Sequence, residues 1–238
     1  MTPALWYALA AAAGNVLGGL TVVRGQRLGL KVIEGLVAFG AGFMISVALV
    51  EVLPEALERG GSGAAAFALL GYLLVHLSQH TATEHFHFGE ETHAVSRAAG
   101  ATALVGLLLH TFFDGVAIAS AFAVSSDLGI LVFLAILLHK LPEGVTIASL
   151  QTVVGHSPAA ALASAAILGL ATIAGVLLTD SLAFLAAHGL ALSAGVTIYV
   201  AASNLVPEFQ GKPGWRLPLA FFLGAGGFVV VRAVLGTG

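Results

Sequence analysis

The chain has 238 residues, of which 58% are hydrophobic and only 9% charged, and its mean hydropathy is +1.01. A soluble domain carries roughly 25% charge, so this composition excludes a soluble enzyme or a nucleic-acid binder and calls for a polytopic membrane protein. The net charge of −3 points to no partner surface, and the absence of cysteine removes disulfides, thiolate ligands and cysteine nucleophiles together.

A bilayer core of about 30 Å takes about 20 residues of helix. Eight apolar stretches of that order lie at 3–23, 32–57, 63–79, 98–122, 128–154, 159–181, 189–209 and 215–235. The expectation is an all-α fold: one transmembrane domain over 1–238, with no soluble domain attached. The first stretch, MTPALWYALA onward, lacks a basic leader and is expected to be a retained span. Arg24, Arg27 and Lys31 fall between spans one and two, Arg97 before span four, and Lys212 and Arg216 between seven and eight, against only Arg59 and Arg232 on the other side. The positive-inside rule then places both termini outside the cytoplasm. Glycines such as Gly14, Gly18 and Gly19 in span one and Gly224, Gly226 and Gly227 in span eight suit close helix packing.

Span two ends in carboxylates, Glu51 and Glu55, expected at its outer end, where they would draw cations. Its segment 41–55, AGFMISVALVEVLPE, aligns without gaps to AGVTIYVAASNLVPE at 194–208, with seven of fifteen residues identical. The partners of Glu51 and Glu55 are then Asn204 and Glu208, near the inner end of span seven. Between spans three and four the stretch 79–97 holds His80, His85, His87 and His93 among glutamates, a cytoplasmic cluster suited to receiving or sensing metal but without the fixed spacing of a structural zinc site. His76 stands four residues before His80, and His156 and His188 are read as lone loop histidines without a role.

Spans four and five carry one motif written twice. Residues 110–120 read HTFFDGVAIAS and residues 139–149 read HKLPEGVTIAS, with six of eleven positions identical. In each copy a His precedes a carboxylate by four residues, His110 with Asp114 and His139 with Glu143, which on a helix stacks the two side chains on one face. Ionisable groups inside a membrane span are costly and default to function. Pro142 removes a backbone donor and frees the carbonyl of Leu138 beside His139. Imidazole and carboxylate without thiolate suit zinc, iron(II), manganese or cadmium better than copper(I). The bland alternative, a buried hydrogen-bonded couple that only braces its helix, fits one such pair better than two in a duplicated motif. Both repeated pairs, 41–55 with 194–208 and the His motifs, are separated by an odd number of spans, so their members run in opposite directions, as in inverted-repeat transporters with a site near the midplane.

These residues resemble the ZIP (Zrt/Irt-like) family of metal transporters, of the bacterial type. The resemblance rests on the H-x-x-x-[DE]-G motifs of spans four and five, the G-x-x-x-x-x-A-L-x-E-x-L-P-E-A run of span two, the His-rich loop and the eight spans. It implies a 3+2+3 arrangement of helices in the inner membrane and a central site of His110, Asp114, His139 and Glu143, with Met44 of span two as a further ligand. It also implies an elevator-like motion of spans one, four, five and six past two, three, seven and eight. The ion is then substrate rather than cofactor; the other partners are lipids and a second copy of the chain in a homodimer, with no nucleic acid. Departures matter: the position after each His is Thr111 or Lys140, and Thr172 stands where span six usually offers glutamate. The Lys140 ammonium would occupy the place of a second ion, so a single-metal site is expected. A membrane-embedded zinc hydrolase is the alternative class, but the chain lacks H-E-x-x-H; a haem carrier would leave both acids unexplained.

Overall fold

The computed structural model describes residues 3–25, 29–82 and 97–236. Those residues form helices: α1 (Pro3–Val23), α2 (Leu30–Val47), α3 (Leu53–Ala82), α4 (Arg97–Val124), α5 (Ser126–Val153), α6 (Pro158–Ser181), α7 (Ala183–Tyr199), the short α8 (Pro207–Gln210) and α9 (Arg216–Leu235). Among the described residues, seven helical stretches are long and apolar enough to cross a membrane. They are hydrophobic around their whole circumference, as spans packed on one side and facing lipid on the other must be. Trp6, Leu17, Leu69, Phe222 and Val234 are turned outward.

One of the seven, Leu30–Gln79, is 50 residues long, far more than a bilayer takes. No loop interrupts it, contrary to the gap expected between 57 and 63. The break is Gly61 alone, with φ 57° and ψ −152°, a conformation essentially confined to glycine. Span seven also differs from expectation: α7 starts at Ala183 rather than 189, which places His188 inside a helix, stacked on Phe67 with ring centroids 3.8 Å apart.

Two π-helical turns interrupt the apolar helices, at Ala48–Val52 and at Val200–Leu205. Each comes just before a proline, Pro54 and Pro207. Proline displaces the carbonyl four residues back and has no N–H of its own, and a widened turn absorbs this: Leu53 donates to Ala48 and Val206 to Ala201, five residues back. In the alignment of 41–55 with 194–208 these turns coincide. Ser125 and Ser157 cap α5 and α6 by accepting from Leu128 and Ala160.

Glycine-to-carbonyl packing joins the helices in pairs. A Cβ on Gly18 would strike the Leu141 carbonyl, on Gly144 that of Asn15, on Gly115 that of Thr172 and on Gly175 that of Phe112, which joins α1 to α5 and α4 to α6; Gly169 on Ala12 and Gly19 on Ala165 then join α1 to α6, making one set of the four. Gly42 meets the Phe221 carbonyl, Gly224 that of Phe39, Gly71 that of Leu192 and Gly195 that of Ala68, which joins α2 to α9 and α3 to α7; these two pairs, taken together as the second set, pack on the first through α5 and α4. Within each set the contacts also fix direction. Glu34 pairs with Lys212 and Glu51 with Arg232, so α2 and α9 run parallel; Phe67 packs on Phe184 and Tyr72 on Tyr199, so α3 and α7 do too. Between the sets the backbones stand farther apart: a Cβ on Gly40 would lie 3.5 Å from Leu138 Cβ and 3.7 Å from its carbonyl, and one on Gly189 would meet the Ser120 side chain.

Candidate metal centre

The two copies of the motif face each other. α4 and α5 run antiparallel, bringing Asp114 opposite His139 and Lys140, and Thr111 opposite Glu143. His110, Asp114, His139 and Glu143 are all buried, and each offers a ligand atom within 4.8 Å of the others. The sequence spacing thus becomes one cluster rather than two separate pairs.

Asp114 is the hub. Its Oδ2 lies 3.4 Å from Nε2 of both His110 and His139 and 2.6 Å from Lys140 Nζ. Nδ1 of His139 sits 3.0 Å from the Ala135 carbonyl, which can only accept, so Nδ1 donates to it and Nε2 is the ring atom aimed at Asp114. Such backbone bonds orient metal-binding imidazoles. Nδ1 of His110 is buried without a hydrogen-bond partner among the described residues.

Lys140 is fully buried, and its ammonium bridges Asp114 to Glu143, whose Oε2 is 2.7 Å away. Glu143 Oε1 accepts from Thr111 at 2.7 Å. The residues after each His therefore converge on one carboxylate. An ammonium shared by two carboxylates offsets most of the cost of burying three charges and leaves negative charge in excess where a cation would bind. α5 continues through Pro142, and Thr146 Oγ1 donates to the Pro142 carbonyl at 2.9 Å.

A donor set of two imidazoles and two carboxylates, buried and close together, has the composition of a divalent transition-metal site. Met44 is buried in the apolar core on α2, one turn beyond Gly40, which packs on Leu138. Glu51 and Glu55 do not stand free: Glu51 pairs with Arg232 at 2.6 Å and Glu55 with Arg59 at 2.5 Å. Asn204 lies in the second π turn, and Glu208 in α8. His80 belongs to the last turn of α3, whereas His85, His87 and His93 lie outside the described residues.

A cavity of about 570 Å³ opens elsewhere, at the ends of α4 and α6 and against α3 and α7, with Ser120, Asp180 and His188 in its wall. The cluster does not line it. Sequence reasoning missed the Ala135 carbonyl and the Thr111 bond to Glu143, which become visible only when two helices are docked. It also passed over Asn15, fully buried in α1 against Gly144, although a lone amide among alanines was a readable signal.

Compared with known families, residues 74–233 match the model described as ZIP Zinc transporter. No curated protein matches the chain.

Proposed function

The chain belongs to the ZIP zinc transporter family, and from that premise we propose that it imports a divalent metal ion, zinc foremost, through the cluster of His110, Asp114, His139 and Glu143. It is a multi-pass membrane protein, and the family's members move metals rather than catalyse reactions. The observation that carries the site assignment is the convergence of all four ligand atoms within 4.8 Å in a buried pocket. With no thiolate, the cluster can strip water from a cation and still release it. Lys140 fills the space of a second ion, which argues for one metal at a time; Met44 is the candidate fifth ligand when α2 slides against α5.

We read the fold as eight crossings in the inner membrane with both termini outside. Gly61 divides the 50-residue stretch into two antiparallel spans, and the parallel packing of α2 with α9 then follows, because both become even-numbered. The coincident π turns support the inverted repeat. An elevator in which α1, α4, α5 and α6 move together is supported by a backbone approach that is looser where α2 meets α5 at Gly40 than within the glycine-packed pairs. In this orientation the cavity beside Ser120 and His188 opens at the outer end of the seam between the two sets, a fitting entrance, and the histidines of 79–97 face the cytoplasm to receive the ion.

The test is uptake of radioactive zinc into proteoliposomes by the parent, His139→Ala and Glu143→Ala. Loss of uptake in both variants is expected; equal uptake in all three removes the site assignment.

A further inference from the structure

The cavity between the ends of α4 and α6 and the first turns of α7 has a wall made mostly of alanine and glycine, so it exists because the side chains facing it are small. Five polar side chains break that pattern: Arg59, Ser120, Thr179, Asp180 and His188. Two of them are spent. Arg59 is paired with Glu55, and Thr179 Oγ1 donates to the Gly175 carbonyl of its own helix. Asp180 and His188 make no side-chain hydrogen bond or ion pair among the described residues. Ser120 is buried, with 7% exposure, and its Oγ has no partner there either.

His188 is held ready to bind. Its ring lies flat on Phe67, with planes 16° from parallel, and Phe184 packs against it at 5.2 Å. A ring clamped by its face has only its edge free, and the edge carries the two nitrogens that bind metal. Ser120 stands beside it, because its hydroxyl lies against Gly189, where a Cβ would come within 2.5 Å of Oγ. Native structures rarely leave a buried hydroxyl unpaired without a water or ligand to meet it.

The balance of charge selects the ligand. Arg59 is neutralised by Glu55, whereas Asp180 has no counter-ion among the described residues, so the cavity favours a cation over an anion. Carboxylate, imidazole and hydroxyl without thiolate suit zinc, iron(II) or manganese. A water needs about 10–15 Å³, so a cavity of about 570 Å³ admits such a cation with its water shell, and the protein need supply only part of the coordination. Ser120 lies six residues beyond Asp114, about 9 Å along α4 at 1.5 Å per residue, with the fully buried Val116 between them. The place is therefore separate from the cluster. It also joins the two helix sets, since Ser120 and Asp180 belong to α4 and α6 and His188 to α7.

We propose that His188 and Asp180, with the Ser120 hydroxyl, form a loading site that holds a partly hydrated divalent cation in this cavity before it passes to the cluster. The inference rests on the transport reading of the cluster. Two ligands and water hold an ion loosely, so the site fills only at zinc concentrations well above those that saturate His110, Asp114, His139 and Glu143, and it is silent in competition with a strong chelator. Its effect is on capture: the ion is concentrated where the path begins, and the later steps are untouched.

The experiment uses the full chain and reads capture apart from turnover. His188→Phe keeps a flat ring on Phe67 and removes both nitrogens, and Asp180→Asn keeps the shape and removes the charge. In proteoliposomes each should raise the KM for zinc uptake about tenfold, the scale of one lost contact to a charged group. The maximal rate should stay within about 2-fold, because only binding before the transport step is lost, and the thermal midpoint should not move. A merely structural role would lower the maximal rate and the midpoint and leave KM alone. The second readout is calorimetric zinc binding at high concentration to the His139→Ala/Glu143→Ala protein, with and without His188→Phe. One weakly held ion per chain should vanish with the imidazole, while any binding at the histidines of 79–97 is common to both proteins and cancels. An unchanged KM in both variants, or equal zinc binding with and without His188, would overturn the inference. Should His188→Phe not fold, Asp180→Asn decides by the same measurements. Uptake surviving in His139→Ala would instead sink the reading of the cluster, a separate outcome.

Discussion

Lys140 offers the sharpest test of how the cluster works, because its replacement should affect the empty and loaded protein in opposite ways. In the structure its ammonium is fully buried and holds two carboxylates at 2.6 and 2.7 Å. Removing one partner of a buried ion pair costs about 3–5 kcal/mol, because the charges left behind have neither partner nor water. Lys140→Met preserves the stem and deletes the charge, so the metal-free variant should lose stability of that order. A bound dication supplies the missing positive charge, and the same energy returns on binding. Zinc affinity should then rise by as much as roughly 100- to 5,000-fold for 3–5 kcal/mol. Proton sharing between Asp114 and Glu143 recovers part of this in the empty variant, which makes about tenfold, or 1.4 kcal/mol, the smallest rise consistent with the argument. Tighter binding with unchanged machinery also means slower release, so uptake at saturating zinc should fall.

The assay is zinc titration against a competing chelator, with thermal midpoints measured with and without zinc. The parent should bind one zinc per chain. The variant should melt lower than the parent without metal and regain most of that loss with it. An unchanged or weaker zinc affinity in Lys140→Met would refute the reasoning, since the ammonium would then not be competing with the ion for Asp114 and Glu143. Lys140→Arg, which keeps the charge, should show no gain in affinity.

Three further outcomes follow from the packing and the chemistry. Gly144→Ala places a methyl group on the Asn15 carbonyl and should lower the thermal midpoint by the equivalent of about 1–3 kcal/mol, whereas Gly226→Ala meets nothing and should be silent. Zinc binding requires deprotonated histidine and carboxylate, so binding should release protons and affinity should fall on acidification, read as a buffer-dependent heat in calorimetry. Single cysteines in this cysteine-free chain should report the crossings: Ser62→Cys is expected to react with an impermeant maleimide from outside and His156→Cys only after permeabilisation, and labelling of both from one side would rule out the eight-span reading.

The site was far more legible in the sequence than the joints of the fold. His110, Asp114, His139 and Glu143 announce themselves because a membrane span tolerates so few ionisable residues that a duplicated pair stands out. Lys140 was readable for the same reason. The place of the Gly61 break was legible, since GGSG at 60–63 reads as a linker, but its form was not, because composition does not distinguish a loop from a single left-handed residue between two helices. The π turns leave no mark of their own beyond the proline that follows. The early start of α7 was hidden by His188, which reads as a loop residue until Phe67 is seen stacked on the imidazole. Asn15 lies between the two: a lone amide among alanines stands out in the sequence, but that it has no partner among the described residues is a property of the packed structure.

The seam between the two helix sets allows a last prediction that separates motion from architecture. Gly40 on α2 and Leu138 on α5 belong to different sets and would have Cβ atoms 3.5 Å apart, within the range of a disulfide. The cysteine-free background lets that pair be introduced alone. If the sets slide past each other, oxidation of Gly40→Cys/Leu138→Cys should stop uptake, and reductant should restore it, because reduction reverses the tether and nothing else. A fixed channel through the same helices would conduct equally well in both states, for the cross-link closes no gap that is not already closed by van der Waals contact. Uptake that persists after complete oxidation therefore refutes the sliding mechanism while leaving the metal site standing. Equal loss in both redox states would trace the defect to the substitutions beside His139, and the neighbouring seam contact of Gly189 with Ser120 would become the place to set the tether.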